Sequence, residues 1–93
     1  MNSVQESIKR SIMPIVEEFE EEKIDLEECI KRIWDIDGGV PIYAADKLFD
    51  IVFNRENSTA AERDRIRSIR NRAMEESLMH SFLDGLANNL TRE

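Results

Sequence analysis

Apolar positions recur along this chain at steps of three and four, the spacing of amphipathic helices. Val4, Ile8, Ile12, Ile15, Val16 and Phe19 form a first stripe, preceded by Ser3 and Glu6 in a capping-box pattern, and the spacing predicts a helix from there to about Glu21. Pro14 lies off that stripe, so a kink is expected rather than a stop. After a short link at Lys23-Ile24, Asp25 and Glu28 repeat the cap logic for a second helix with Leu26, Cys29, Ile30, Ile33 and Trp34 on its apolar side, closed by Gly38-Gly39. Pro41 then opens a third helix, which runs to about Arg55.

The third helix is different in kind. Ile42, Ala44, Ala45, Leu48, Phe49, Ile51, Val52 and Phe53 cover well over half its circumference, leaving Asp46, Asp50 and Asn54, with Tyr43 and Lys47, as one solvent edge. It is expected to be the central element of the fold. Thr59 and Glu62 form another capping box and start a fourth helix with Ile66, Ile69 and Ala73 on one face. Beyond Met74 the apolar set moves to the opposite side of the wheel: Leu78, Met79, Phe82, Leu83, Leu86 and Leu90. This slip of phase predicts a break near residues 75–77, with Glu75 and Glu76 in the first turn of a fifth helix. The final residues, 88–93, are expected to fray. The pattern as a whole predicts an all-α fold, an antiparallel bundle of four helices, or of five where the chain breaks rather than bends near residues 75–77, in a single domain over residues 1–93.

Composition agrees with this picture. Of the 93 residues, 41% are hydrophobic and 35% charged, with three Gly and two Pro, as in a helix-rich globular domain. No apolar run is long enough to span a membrane and no secretory leader stands at Met1, so the cytoplasm is the expected location. The net charge of −7 is unevenly spread. Residues 1–52 hold six basic and thirteen acidic side chains, and residues 53–93 hold seven of each. An acidic surface attracts basic partners and repels nucleic acid.

Candidate chemistry is sparse. Cys29, the single cysteine, sits on an apolar stripe and is expected to be a small buried hydrophobe. His80 follows Glu76 by one turn, but no second pair completes a metal site, and it is expected to be a surface or hinge histidine. Asp35, Asp37 and the two glycines suggest a calcium loop, yet the positions requiring Gly and Glu hold Val40 and Asp46. The E-x-x-E spacing within Glu17 to Glu21 occurs in helical nucleotide pyrophosphatases, but the second carboxylate pair such sites need is replaced by Asp46 and Asp50, four apart. No constellation supplies nucleophile, base and electrophile together, so neither catalysis nor a cofactor or metal is expected. Arg63, Arg65, Arg67, Arg70 and Arg72 could form a phosphate-binding strip. Alternating helices would bring them close to the acidic run Glu17 to Glu28, and pairing within the fold is the expectation.

The stretches EEFEEEKIDLEECIKRIW (17–34), ADKLFDIVF (45–53) and SLMHSFLDGLANNL (77–90) resemble the colicin D immunity family and related contact-dependent inhibition immunity proteins. The shared features are a helix ending in a short basic-isoleucine link, a second amphipathic helix, a Leu-Phe pair on helix three and a leucine-rich last helix. The family often carries an acid shortly after the Leu-Phe pair, where this chain has Phe53. The resemblance implies an immunity protein that binds a cognate toxin, typically a basic nuclease acting on transfer RNA, and blocks its active site with carboxylates in place of phosphates. The partner-binding residues would be the outward acids Glu17, Glu18, Glu21, Glu22, Glu28, Asp46, Asp50 and Glu56. Two other readings stand beside it: a small regulatory adaptor, phage or bacterial, that works as a homodimer through Leu78, Phe82 and Leu86, and an RNA-binding protein using Arg63 to Arg72.

Overall fold

The computed structural model describes the backbone of residues 3–91 and the side chains of residues 6–79, 82 and 83. These form four helices, α1 (Ser3–Glu20), α2 (Leu26–Asp37), α3 (Ile42–Asn54) and α4 (Ala60–Thr91). No strand occurs among the described residues. The side chains of the predicted Ser3 cap, Val4, His80, Leu86 and Leu90 lie outside the described set.

The local signals in the sequence become the caps of these helices. Asp25 accepts a hydrogen bond from the Glu28 N–H at 2.8 Å, which ties down one of the free donors at the start of α2. Gly38 ends α2 in the left-handed region, at φ 71°, and donates its N–H to the Trp34 carbonyl at 2.8 Å. At the start of α4 the capping box is reciprocal: Glu62 N–H donates to Thr59 Oγ1 at 3.1 Å, and Thr59 N–H to Glu62 Oε1 at 2.9 Å. Helix α1 runs through Pro14, whose ring faces solvent.

The end of α1 carries a signal that composition hides. Glu22 N–H donates to the Phe19 carbonyl at 3.0 Å and Lys23 N–H to the Glu18 carbonyl at 2.9 Å, the two bonds of a Schellman motif. The position that usually holds glycine holds Glu22, at φ 63°.

Helix α3 is central, as its pattern predicts. It packs against both α1 and α4, and Ala44, Ala45 and Leu48 are fully buried. Around them lie Ile12, Val16 and Phe19 of α1, Leu26, Cys29, Ile30 and Ile33 of α2, and Ile66 of α4 in one continuous core. Cross-links fix the directions. Asp46 meets Arg70 while Phe53 meets Arg67, so α3 and α4 are antiparallel. Lys9 lies over Tyr43, and the far end of α1 meets Arg55, so α1 and α3 run the same way. The two aromatic residues of α3 are less buried than the wheel suggests, Phe49 packing against the edge of the core. Phe49 is half-buried and Phe53 exposed, stacked on each other at 4.3 Å between ring centres, with Arg70 over the first and Arg67 over the second.

The predicted break at residues 75–77 does not occur. Helix α4 is continuous over 32 residues, so the fifth helix is absent and the architecture is four helices. Ala-Met-Glu-Glu-Ser-Leu-Met contains neither glycine nor proline, and nothing local stops helix propagation. A slip of phase requires a break only where both apolar stripes face one core. Only the first does: Ile66 and Ala73 are buried, whereas Leu78, Met79, Phe82 and Leu83 are exposed. The second half of α4 projects beyond the other helices, and the molecule is elongated, 56 Å along its major axis against 27 and 19 Å.

Two stability measurements check this description. Leu48→Ala empties the middle of the core and is expected to cost about 2 to 5 kcal/mol in urea melts. Glu22→Gly relieves a left-handed residue that bears a Cβ, and after the entropy of the added glycine a gain of about 0.5 to 1 kcal/mol is expected in the same assay.

Candidate protein-binding surfaces

The sequence singles out eight acids, and the structure divides them by what each touches. Glu18 and Glu28 face each other across the α1/α2 groove and share Arg32, at 3.5 and 2.8 Å. Asp46 is held by Arg70 of α4 at 2.7 Å. Glu21 pairs, among the described residues, with Lys23 alone, at 3.2 Å on the same turn. Glu17, Glu22, Asp50 and Glu56 are exposed and form no ion pair among the described residues. Three of the eight are therefore partly neutralised in internal pairs, and five point outward with at most a local lysine.

Those five gather at one end of the bundle for a reason visible at Arg55. Its guanidinium donates to the carbonyls of Phe19 and Glu20, the latter at 3.1 Å, and its carbon lies 4.3 Å from the centre of the Phe19 ring. A single side chain thus caps the C-terminus of α1, where unsatisfied carbonyls carry partial negative charge, and fastens the α3-α4 turn against it. Glu56 follows directly in that turn. A shallow hollow of about 250 Å³ lies between, lined by Glu20, Lys47, Asp50, Ile51, Asn54 and Arg55. Arg55 was not among the residues marked by the sequence. An arginine just past the end of a helix gives no periodic signal, and its target is 36 positions away.

The arginine cluster is engaged inside the fold. Arg65 makes a two-pronged pair with Glu27, at 2.9 and 3.3 Å, joining α4 to α2. Arg67 meets Asp64 at 3.0 Å, Arg70 meets Asp46, and Arg72 meets Glu76 at 3.5 Å. Arg63 donates to the Ser58 carbonyl at 2.7 Å. The four ion pairs are a third or more exposed, so each contributes little to stability, and Arg63 is hydrogen-bonded to Ser58 with no carboxylate partner among the described residues.

A second surface is apolar. Trp34, placed by its spacing on the core side of α2, is 45% exposed. It borders a groove of about 440 Å³ between the end of α2, Val40 and the Arg65 to Glu76 side of α4. Beyond the groove α4 carries Leu78, Met79, Phe82 and Leu83, exposed by 68, 59, 62 and 54%. Large apolar side chains clustered at that exposure mark an interaction surface more often than a plain solvent face.

Cys29 is fully buried, its Sγ 3.9 Å from the Ile15 carbonyl, and burial pushes the thiol up to about 12. No group of three or more His, Cys, Asp or Glu side chains is placed to hold a metal ion among the described residues. No described helix is long and apolar enough to cross a membrane. No protein-family model, curated protein or solved structure matches the chain.

The thiol gives a prediction with a definite sign. In the unfolded chain Cys29 ionises near 9.0, and in the native fold at about 12. Its contribution to stability is therefore complete below pH 9 and is lost as the pH rises from 9 to 12. Wild type is expected to lose more stability over that window than Cys29→Ala, measured by paired denaturant melts, and a thiol reagent is expected to react only after unfolding.

Proposed function

We propose that this protein is a non-catalytic inhibitor of the immunity type, which binds a basic toxin domain, a nuclease acting on transfer RNA, through the acidic end of its bundle. The supporting observation is the contrast between the two charge clusters. Four of the five arginines of α4 pair with carboxylates within the chain and Arg63 is hydrogen-bonded to Ser58, whereas Glu17, Glu22, Asp50 and Glu56 form no ion pair among the described residues. The free charge at the end where the α1-α2 and α3-α4 turns meet is therefore negative. A basic nuclease would be steered toward it, and its phosphate-binding residues would find carboxylates at the surface of a rigid scaffold. Within the acidic set the contact residues narrow to Glu17, Glu21, Glu22, Asp50 and Glu56, because Glu18, Glu28 and Asp46 already serve internal pairs.

An adaptor that works through protein contact is the second reading, favoured by the exposed apolar side of α4. RNA binding through Arg63 to Arg72 is less well supported, since it requires breaking the pairs those residues make.

The test is a pair of titrations. One uses a basic transfer-RNA nuclease domain, sought first in the neighbouring reading frames, and the other uses transfer RNA, each at two salt concentrations. Combined Glu17→Lys, Glu21→Lys, Asp50→Lys and Glu56→Lys substitutions are expected to slow association with the nuclease at least about tenfold at low salt, with the fold retained by circular dichroism. Tight binding to transfer RNA that vanishes with Arg67→Ala and Arg70→Ala, with no binding to the nuclease, would overturn the proposal.

A further inference from the structure

We infer that the groove beside Trp34 is a binding site for a small aromatic carboxylic acid, whose ring lies against the indole and whose carboxylate is taken by Arg72. The inference is independent of the acidic end, since the groove sits at the other end of α2 from the α1-α2 turn. Its volume of about 440 Å³ falls within the roughly 300 to 1,000 Å³ of small-molecule sites. Trp34, Val40 and Ala73 give it apolar walls, while Arg65, Arg72 and Glu76 bring charge to it. Apolar walls with a few convergent polar groups are what such sites have in common.

Gly39 is a second, separate observation. Gly38 supplies the left-handed φ that ends α2, and Gly39 has no such φ. A Cβ on Gly39 would meet nothing within 4 Å, so neither the backbone nor the packing of the fold calls for glycine there. The residue lines the groove, and a side chain at that point would narrow it. Glycine in such a place lets a ligand come close to the backbone.

Charge selects the ligand. Two arginines and one acid line the groove, so a cation is disfavoured and a single negative charge is the best match. Arg65 is committed, held at both prongs by Glu27. Arg72 is not: its partner Glu76 lies four residues along the same helix, at 3.5 Å, and both side chains are mostly exposed. A pair of that kind contributes little, so Arg72 can exchange it for a ligand carboxylate, which a guanidinium binds through two parallel N–H bonds. Glu76 stays nearby and repels a second negative charge, which favours a carboxylate over a phosphate dianion. Trp34, nearly half exposed, offers the ring of the acid an aromatic surface.

Trp34 is the single tryptophan of the chain, so its fluorescence reads occupancy of the groove directly. Titrated into the full chain, phenylacetate is expected to change that fluorescence with half-saturation on the order of 1 mM, the range of a ligand this small. The neutral analogue phenylacetamide is expected to bind at least about tenfold more weakly, and benzylamine and acetate to give no saturable change. Arg72→Gln is expected to bring phenylacetate down to the affinity of the amide and to leave the amide unaffected. Gly39→Leu is expected to abolish binding of both, with thermal melts showing the bundle still folded. No saturable change with phenylacetate up to about 10 mM would overturn the inference. So would a neutral or cationic analogue that binds as tightly as the acid, or binding of the acid that survives Arg72→Gln or Gly39→Leu.

Discussion

The burial of α3 is the constraint on which the rest of this structure depends. Ala44, Ala45 and Leu48 are fully excluded from solvent, and two alanines in succession on a helix let neighbours approach closely. Cover is needed on more than one side: α1 supplies Ile12, Val16 and Phe19, and α4 supplies Ile66. Helix α2 completes the enclosure chiefly by packing on α1, and among the described residues its one ion pair with α4 is between Glu27 and Arg65. The caps at Asp25, Gly38 and Thr59 set where each helix begins or ends so that these faces meet.

Charge is arranged around that core in layers of use. Arginines that lie beside a groove are spent on holding helices together: Arg32 between α1 and α2, Arg65 between α4 and α2, Arg70 between α4 and α3. Arg67 and Arg70 also cover the rings of Phe53 and Phe49, which lets α3 carry two large aromatic side chains near its edge without leaving them bare. The acids outnumber these cations, and the surplus is left on the ridge of α1 and at the turns. The acidic end is thus a remainder, produced by which carboxylates have a basic neighbour within reach.

Much of the fold could be read in the sequence because its signals are local. Helix positions follow from three-four spacing, and the Asp25 and Thr59 caps follow from a side chain and the backbone three residues on. The centrality of α3 follows from an apolar circumference that no surface helix has. What could not be read depends on partners distant in the chain. Periodicity marks Trp34 as apolar-sided but does not say that α2 leaves it at a rim, and it gives no warning that Phe49 and Phe53 sit under arginines. The phase slip in α4 is real, but spacing alone cannot say whether a second stripe demands a bend or a second surface. For the acids, spacing identifies which are outward on their own helix. Which of them meets an arginine from another helix, as Asp46 does, depends on packing.

The unbroken run of α4 has a mechanical consequence. From Ile66, where it is gripped by the core, to Leu83 the helix extends roughly 25 Å at 1.5 Å per residue. A rocking of α4 by about 5° on its seat would carry Leu83 sideways by about 2 Å, more than half the width of a methyl group. Because a helix is stiff along its axis, small changes in packing beneath Arg67 and Arg70 are magnified at the tip in the manner of a lever. The core and the apolar side chains at Phe82 and Leu83 are therefore geometrically coupled through the helix itself.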